Sequence, residues 1–480
     1  MNREPTLNRR RVLGIGGGAA LSLLVAACSS GGSSAPPVAT SAPAPTAASG
    51  AATTAPTATS ATSAAAAPAA TAATSGAPVS LTLSYRSGNA PYFEERSKTF
   101  SGSTPNITIE QRPIAGSNDA YYPKLTAEFA AGSASDVFWV STGFGLYDSY
   151  AYSKQLIAAD PFIQGDNIDL GQWIPAAIST LKLDGKLYAL PWGMHPDDIG
   201  LWYNKDMFDK AGVEPPDLNK ETHDSLIEKA AKLTKRTGSH TDVWGLATTT
   251  APFEGLISIV RSYGGDYMTD DKKKGAMDSP EALAALQWMA DIRTKEKVNP
   301  LFSQTPANGL ESAFIGQTLA MFNEGVWGLA MAAKIGTKFT MGVSLMPKGP
   351  KGIRGSMSHV DTISGYSKGK HQPEAFKFIE FLTNKESGVQ NALVNAFWGA
   401  RPDVWADPAP KQKYGSLLDA WVAGMQDVMP LDEPWNFRLV ELNTGMDNTL
   451  QPVWNGDTAP KDAVPKLQDA INTVLAKSPQ

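Results

Sequence analysis

The residues able to do chemistry in this chain are few. Its 480 residues hold one cysteine and five histidines, against 12 tryptophans, 13 tyrosines and 17 phenylalanines. No His-Glu-x-x-His pair offers a zinc site, no Gly-x-Ser-x-Gly elbow offers a nucleophile, and no glycine-rich loop opening a helix offers a phosphate cradle. Gly14-Ile15-Gly16-Gly17-Gly18 lies in an apolar N-terminal run and is no nucleotide motif. The neighbouring acids Asp197 and Asp198 raise the question of a glycosidase, but adjacent carboxylates in one loop rarely face opposite sides of a bond. The expectation is therefore no catalysis, no cofactor and no metal. What remains is noncovalent capture, with flat aromatic faces and polar side chains forming hydrogen bonds at fixed angles.

Where such capture takes place is read from the N-terminus. Arg9, Arg10 and Arg11 precede an uncharged apolar stretch over residues 12–27, the layout of a signal peptide and too short to be a reliable permanent span. Asn8-Arg9-Arg10-Arg11-Val12-Leu13 resembles a twin-arginine export signal. Val25-Ala26-Ala27-Cys28 resembles a lipobox, which makes Cys28 the expected lipidation site and membrane lipid a partner. Cys28 is also the sole cysteine, so the folded part can contain no disulfide. Residues 29–77 are almost wholly Ala, Ser, Thr, Pro and Gly, without a charge or an aromatic ring. They cannot bury enough apolar area to offset ordering and read as a disordered linker. Loss of residues 1–27 removes four Arg and Glu4, moving the formal charge from -5 to -8. So acidic a chain is a poor match for nucleic acid or an anionic membrane surface.

The elements that must position a site begin at residue 78. Residues 79–85 alternate like a strand, residues 93–100 read as a helix, and a second strand falls at 107–110. A helix near 120–131, the apolar strand 136–140 and a helix over 145–154 follow. Asp184-Gly185 reads as a tight hairpin turn, and longer helices are expected at 221–237, 280–295 and 373–384. Ser279-Pro280 and Gln372-Pro373 place proline at a first helical position. Strands alternating with helices, over about 400 residues, predict an α/β fold of two lobes.

Gly185-Lys186-Leu187-Tyr188-Ala189-Leu190-Pro191-Trp192, followed by Leu201-Trp202-Tyr203-Asn204-Lys205-Asp206-Met207-Phe208, closely resembles a signature of the extracellular solute-binding proteins of sugar ABC transporters, the family that includes maltose-binding protein. Ala134-Ser135-Asp136-Val137, the stretch 314–321, Met346-Pro347-Lys348-Gly349 and the stretch 375–382 match in the expected order. The resemblance implies a type II periplasmic-binding-protein fold with discontinuous lobes, residues 78–193 plus 358–400 and residues 194–357 plus 401–480. It implies a monomer on the outer face of the membrane that closes on a sugar and delivers it to the transmembrane subunits of an ABC permease. A polyamine, amino acid, glycerophosphodiester or iron on the same fold stays open; Tyr121-Tyr122 is the one hint of metal. In Tyr203-Asn204-Lys205-Asp206, Asn204 reads as a helix cap and Gly212 as the left-handed residue ending that helix, so this motif is structural first.

By the same resemblance, Trp327 falls where the maltose-binding branch carries a stacking tryptophan, and Asp197, with His195 and Asp198, falls near an acidic contact. Ser141 and Thr142 stand after a strand where the maltose binder has a carboxylate, which places a different ligand in view. Ser87, Gly88 and Asn89 end the first strand, Trp192 stands at the hinge, and Arg401, Trp435 and Trp398 complete the expected ligand contacts.

Overall fold

A computed structural model describes residues 77–116, 118–196, 198–431 and 433–479. The signal peptide, Cys28 and the linker lie outside the described residues, as does Asp197.

The alternating segment at the start of this region forms β1 (Val79–Arg86). It lies parallel to β2 (Ile107–Ile114) and to β3 (Val137–Ser141), with the helices Ala90–Ser103 and Asn118–Ala131 making the crossovers. β2 runs four residues beyond the sequence expectation because it pairs with β1 along its whole length. The helix expected at 145–154 covers only Tyr147–Tyr152, and Lys154 beyond it takes a left-handed φ of 58°. Asp184 and Gly185, with φ of 50° and 76°, close the hairpin of β4 (Lys182–Leu183) and β5 (Lys186–Leu187).

β6 (Ala189–Pro196) ends the first sheet's opening segment, and the chain then enters β7 (Gly200–Asn204) of a different sheet. In β7 successive side chains serve two cores. Leu201 packs with Phe208, Leu226 and Met289, while Trp202 packs with Phe314, Trp398 and Trp421. Asn204 caps the following helix, Lys205–Ala211, through Met207 N–H to Oδ1 at 3.1 Å, and Gly212 ends it at φ 62°. The helix expected at 221–237 is His223–Leu233, started by the Thr222–Ser225 capping box. Its expected last residues instead form β8 (Lys235–Thr237), paired with β9 (His240–Val243). Ser279 caps Pro280–Thr294 as expected, whereas Pro373 is the second residue of Gln372–Thr383, behind the cap position His371.

β7 is the centre of a three-stranded antiparallel sheet between β10 (Met321–Glu324) and β11 (Met341–Leu345). The chain then returns to the first sheet as β12 (Met357–Gly365), nine residues buried without exception. β12 pairs antiparallel with β3 and with β6, and at its start parallel with the short β13 (Met429–Pro430). The sheet of β1, β2, β3, β6 and β12, with Leu83, Phe93 and Val137 in its core, makes a first body. The sheet of β7, β10 and β11, with Leu201, Phe208 and Met289 packed beside it, makes a second. The helices Leu439–Trp454 and Pro460–Leu475 add Leu442, Trp454, Leu467 and Ile471 to the core of the second. Among the described residues no helix is long and apolar enough to cross a membrane.

The asparagine of the Tyr-Asn-Lys-Asp motif is thus a cap. Asn204→Ala is expected to lower stability by about 1 kcal/mol, seen as a lower urea midpoint at unchanged slope.

Candidate functional site

The register between β6 and β12 assembles a cluster of buried ionisable side chains. His195 stands directly opposite His359, Gly193 opposite Asp361, and the pairing skips Trp192 as a bulge between Asp361 and Thr362. Asp361 also faces Ser141 across β3. His195, His359 and Asp361 are each about nineteen-twentieths removed from solvent, at 5%, 5% and 4% exposure. Gly193 is required by packing, since a Cβ there would meet the Phe397 ring at 1.9 Å.

Burial decides how these groups titrate. It pushes His195 down to about 3, helped by His359 and Arg86 and opposed by its hydrogen bond to the Pro196 carbonyl. It pushes His359 down to about 4, against the charge of Glu254. Asp361 is pushed up to about 6, again by burial, with Arg86 and hydrogen bonds from Ser141 and Trp139 acting the other way. Both imidazoles are therefore neutral at neutral pH. The 3.7 Å approach of His195 Nε2 to Asp361 is accordingly no ion pair, and it is too long for a hydrogen bond. Because a carbonyl can only accept, His195 Nδ1–H donates to Pro196 O at 3.2 Å and its Nε2 is left as an acceptor.

Rings surround the cluster. His195 meets Trp327 edge to face at 5.0 Å and Phe397 at 5.4 Å, and Phe397 stacks on Trp192 at 5.3 Å. Arg86, at the end of β1, lies over Trp139 at 4.3 Å and donates to Asn118 at 3.0 Å. Glu324, beside Trp327, is pushed up to about 7 by burial first and by the nearby charge of Glu254, against hydrogen bonds from Gly325 N–H and Trp327. Gly143 touches the His359 ring closely enough that a Cβ there would stand 2.6 Å from Nδ1.

Through Gly143 and Phe253 the cluster adjoins a cavity of about 820 Å³. Tyr122, Phe144 and Leu146 line it from the first body, and Phe253, Glu254 and Leu439 from the second. The two sides touch where Gly145 meets Leu439. The volume is that of a small-molecule site.

The structure brings some expected residues together and engages others elsewhere. His195 and Trp327 stand at the cluster. Ser141 and Thr142 stand beside it, but their hydroxyls serve the backbone: Ser141 Oγ accepts from Gly143 N–H at 3.3 Å and Thr142 Oγ1 from Val360 N–H at 3.1 Å. Trp192 is a packing residue, stacked between Phe93 and Phe397 with its indole N–H donated to Tyr92 at 3.1 Å. Asp198 is buried, and its carbonyl accepts from Asn323 at 2.9 Å. Ser87, Gly88 and Asn89 form a 3-10 turn after β1 with Ser87 and Gly88 exposed. Arg401 grips Asp403 through two nitrogens and Gln172 through a third, over Trp173, which leaves it a structural clamp. Trp435 donates to Leu475 O at 2.8 Å, against the last helix and away from the cavity lining. Trp398 is fully buried on Trp405.

Sequence reasoning passed over Arg86, His359, Asp361, Phe253 and Glu254. His359 and Asp361 did leave a signal, as ionisable residues two apart in a segment that is otherwise strand-like. Among the described residues, no three His, Cys, Asp or Glu side chains are grouped to hold a metal ion.

Residues 86–389 match the bacterial extracellular solute-binding protein family. A binding protein of Brucella abortus is 28% identical over 414 residues, 82% of this chain and 93% of that one. An ABC substrate-binding protein from Listeria monocytogenes, solved in complex with cycloalternan, superposes with a TM-score of 0.74 at 23% identity, over 83% of this chain and 99% of that one. UgpB from Mycobacterium tuberculosis, solved in complex with glycerophosphocholine, gives 0.71 at 16% identity, over 83% and 98%. These likenesses bear out the two-lobed binding-protein fold that the sequence resemblance implied.

The opposed shifts make a signed prediction. A histidine whose pKa is depressed on folding contributes stability that is full above about 6.5 and is lost as pH falls. Asp361, raised on folding, gains over the same interval as pH falls below about 6. Between pH 6.5 and 4, His359→Gln should lose stability less steeply than the parent, by up to about 3 kcal/mol, and Asp361→Asn more steeply. Urea titrations at the two pH values measure both.

Proposed function

The chain belongs to the bacterial extracellular solute-binding proteins, the solute-capturing components of ABC importers, and from that premise we propose that its ligand is a sugar or oligosaccharide held between its two bodies. The observation that carries the reading is the cavity lined by both bodies beside neutral polar groups and aromatic faces. Sugars need hydrogen-bonding groups at their polar edges and flat apolar surface at their ring faces. Asn118, Asn443 and Thr444 in the lining, with the neutral imidazoles behind Gly143, supply the first. Tyr122, Phe144 and Phe253 in the lining, with Trp327 against His195, supply the second.

The Listeria protein's cycloalternan complex is consistent with a carbohydrate ligand. The glycerophosphocholine complex of the mycobacterial protein makes a phosphodiester the runner-up. That reading is weakened here because the cation nearest the cluster, Arg86, already holds Asn118 and the Trp139 face. Glu254, exposed in the cavity lining, would repel a phosphate.

In this proposal lobe 1 is residues 78–193 plus 358–400 and lobe 2 is residues 194–357 plus 401–480. They close on the sugar by a hinge at the passage from β6 to β7, and the closed form delivers it to the permease subunits. Lipidation at Cys28 would hold the protein on the outer face of the membrane, with residues 29–77 as the tether.

A thermal-shift screen of mono- and oligosaccharides against polyamines, amino acids, glycerophosphodiesters and iron tests the assignment. A sugar at 100 times its Kd should stabilise the protein by about 2.7 kcal/mol. Trp327→Ala should abolish that shift. A shift produced only by a rival ligand would overturn the sugar reading and leave the fold standing.

A further inference from the structure

One stretch of the cavity is lined mainly by apolar side chains on both sides. Its walls are two helices, Asn118–Ala131 from the first body and Leu439–Trp454 from the second. The first presents Pro123, Ala127 and Ala130, and the second presents Leu439 and Val440. Val440, 51% exposed, adds apolar surface to this wall.

The hydroxyls in these walls are already engaged at home. Thr126 Oγ1 donates to the Tyr122 carbonyl at 2.9 Å and lies 2.7 Å from the Tyr150 hydroxyl. Thr444 Oγ1 donates to the Val440 carbonyl at 2.9 Å. Asn118 Oδ1 accepts from Arg86. One lining acceptor is buried without a partner, Asn443 Oδ1. A further sugar unit placed here would bury several hydroxyls with too few partners to replace water.

We infer that the chamber between these two helices receives an apolar substituent of the ligand, so that the captured molecule is amphipathic, a saccharide carrying a hydrocarbon or aromatic group. The inference rests on the carbohydrate reading for the polar end and on the wall chemistry for the apolar end. The Tyr122 hydroxyl oxygen accepts from Ser141 N–H at 3.1 Å and its ring stacks on Trp139 at 5.6 Å, so what it adds to the lining is apolar ring carbon.

Two probes on the full chain separate the inference from the reading beneath it. N-phenyl-1-naphthylamine, a neutral apolar fluorophore, should brighten on binding, and Ala127→Trp, which fills the chamber from an exposed helix position, should weaken that binding at least tenfold. Maltose and hexyl β-maltoside, titrated by calorimetry, should differ in Kd, with each buried methylene worth roughly a fourfold gain. The difference should collapse in Ala127→Trp. Equal affinity for the two maltosides, or fluorophore binding indifferent to Ala127→Trp, overturns the inference with sugar capture intact. Fluorophore binding that is lost in Ala127→Trp, in a protein that no saccharide stabilises, upholds the chamber and overturns the carbohydrate reading instead.

Discussion

Taking ionisable side chains out of water inside a β-sheet is the constraint on which the rest of this structure turns. β12 has no exposed residue, yet it carries His359 and Asp361. A charged group there would be strongly disfavoured, so the imidazoles stay neutral and the carboxyl rises toward neutrality. Everything around them follows from keeping that arrangement. The Pro196 carbonyl orients His195, and Arg86 is held nearby by Asn118 and the Trp139 face. The bulge at Trp192 shifts the register so that Gly193, with no side chain, faces Asp361.

The same strands organise the two bodies. β6 carries His195 in one sheet and leads directly into β7 at the centre of the other. A row of rings crosses the same region, from Trp192 through Phe397 and His195 to Trp327. A rotation of one body on the other would move Trp327, which follows β10, relative to His195, which is fixed to β12. The geometry thus ties the contact between His195 and Trp327 to the angle between the sheets.

Tryptophan abundance proved a weak guide to the site. Trp139, Trp202, Trp398, Trp421 and Trp454 are fully buried, and each stands in a core or against a cation. A tryptophan's sequence position says that a large flat surface is present; whether that surface faces water, a ligand or leucine depends on what the chain folds against it. Arg401 shows the same limit, because Asp403, two residues on, and Gln172, far away in the chain, claim its donors together.

By itself the sequence determined what is local. Period-two alternation marked β1, the Asp184-Gly185 pair closed its hairpin, Asn204 and Gly212 bounded a helix, and ordered motifs named the family. These follow from interactions spanning a few residues, or from patterns in sequence order. The helix limits near Thr237 and Lys154 were missed because pairing with β9 and a left-handed residue outweighed propensity. The site was decided only by tertiary structure. His195 meets His359 and Asp361 across about 165 residues of chain, and the cavity joins helices that begin near residues 118 and 439. Burial, which sets the protonation of that cluster, is a property of everything packed around it and is written at no single position.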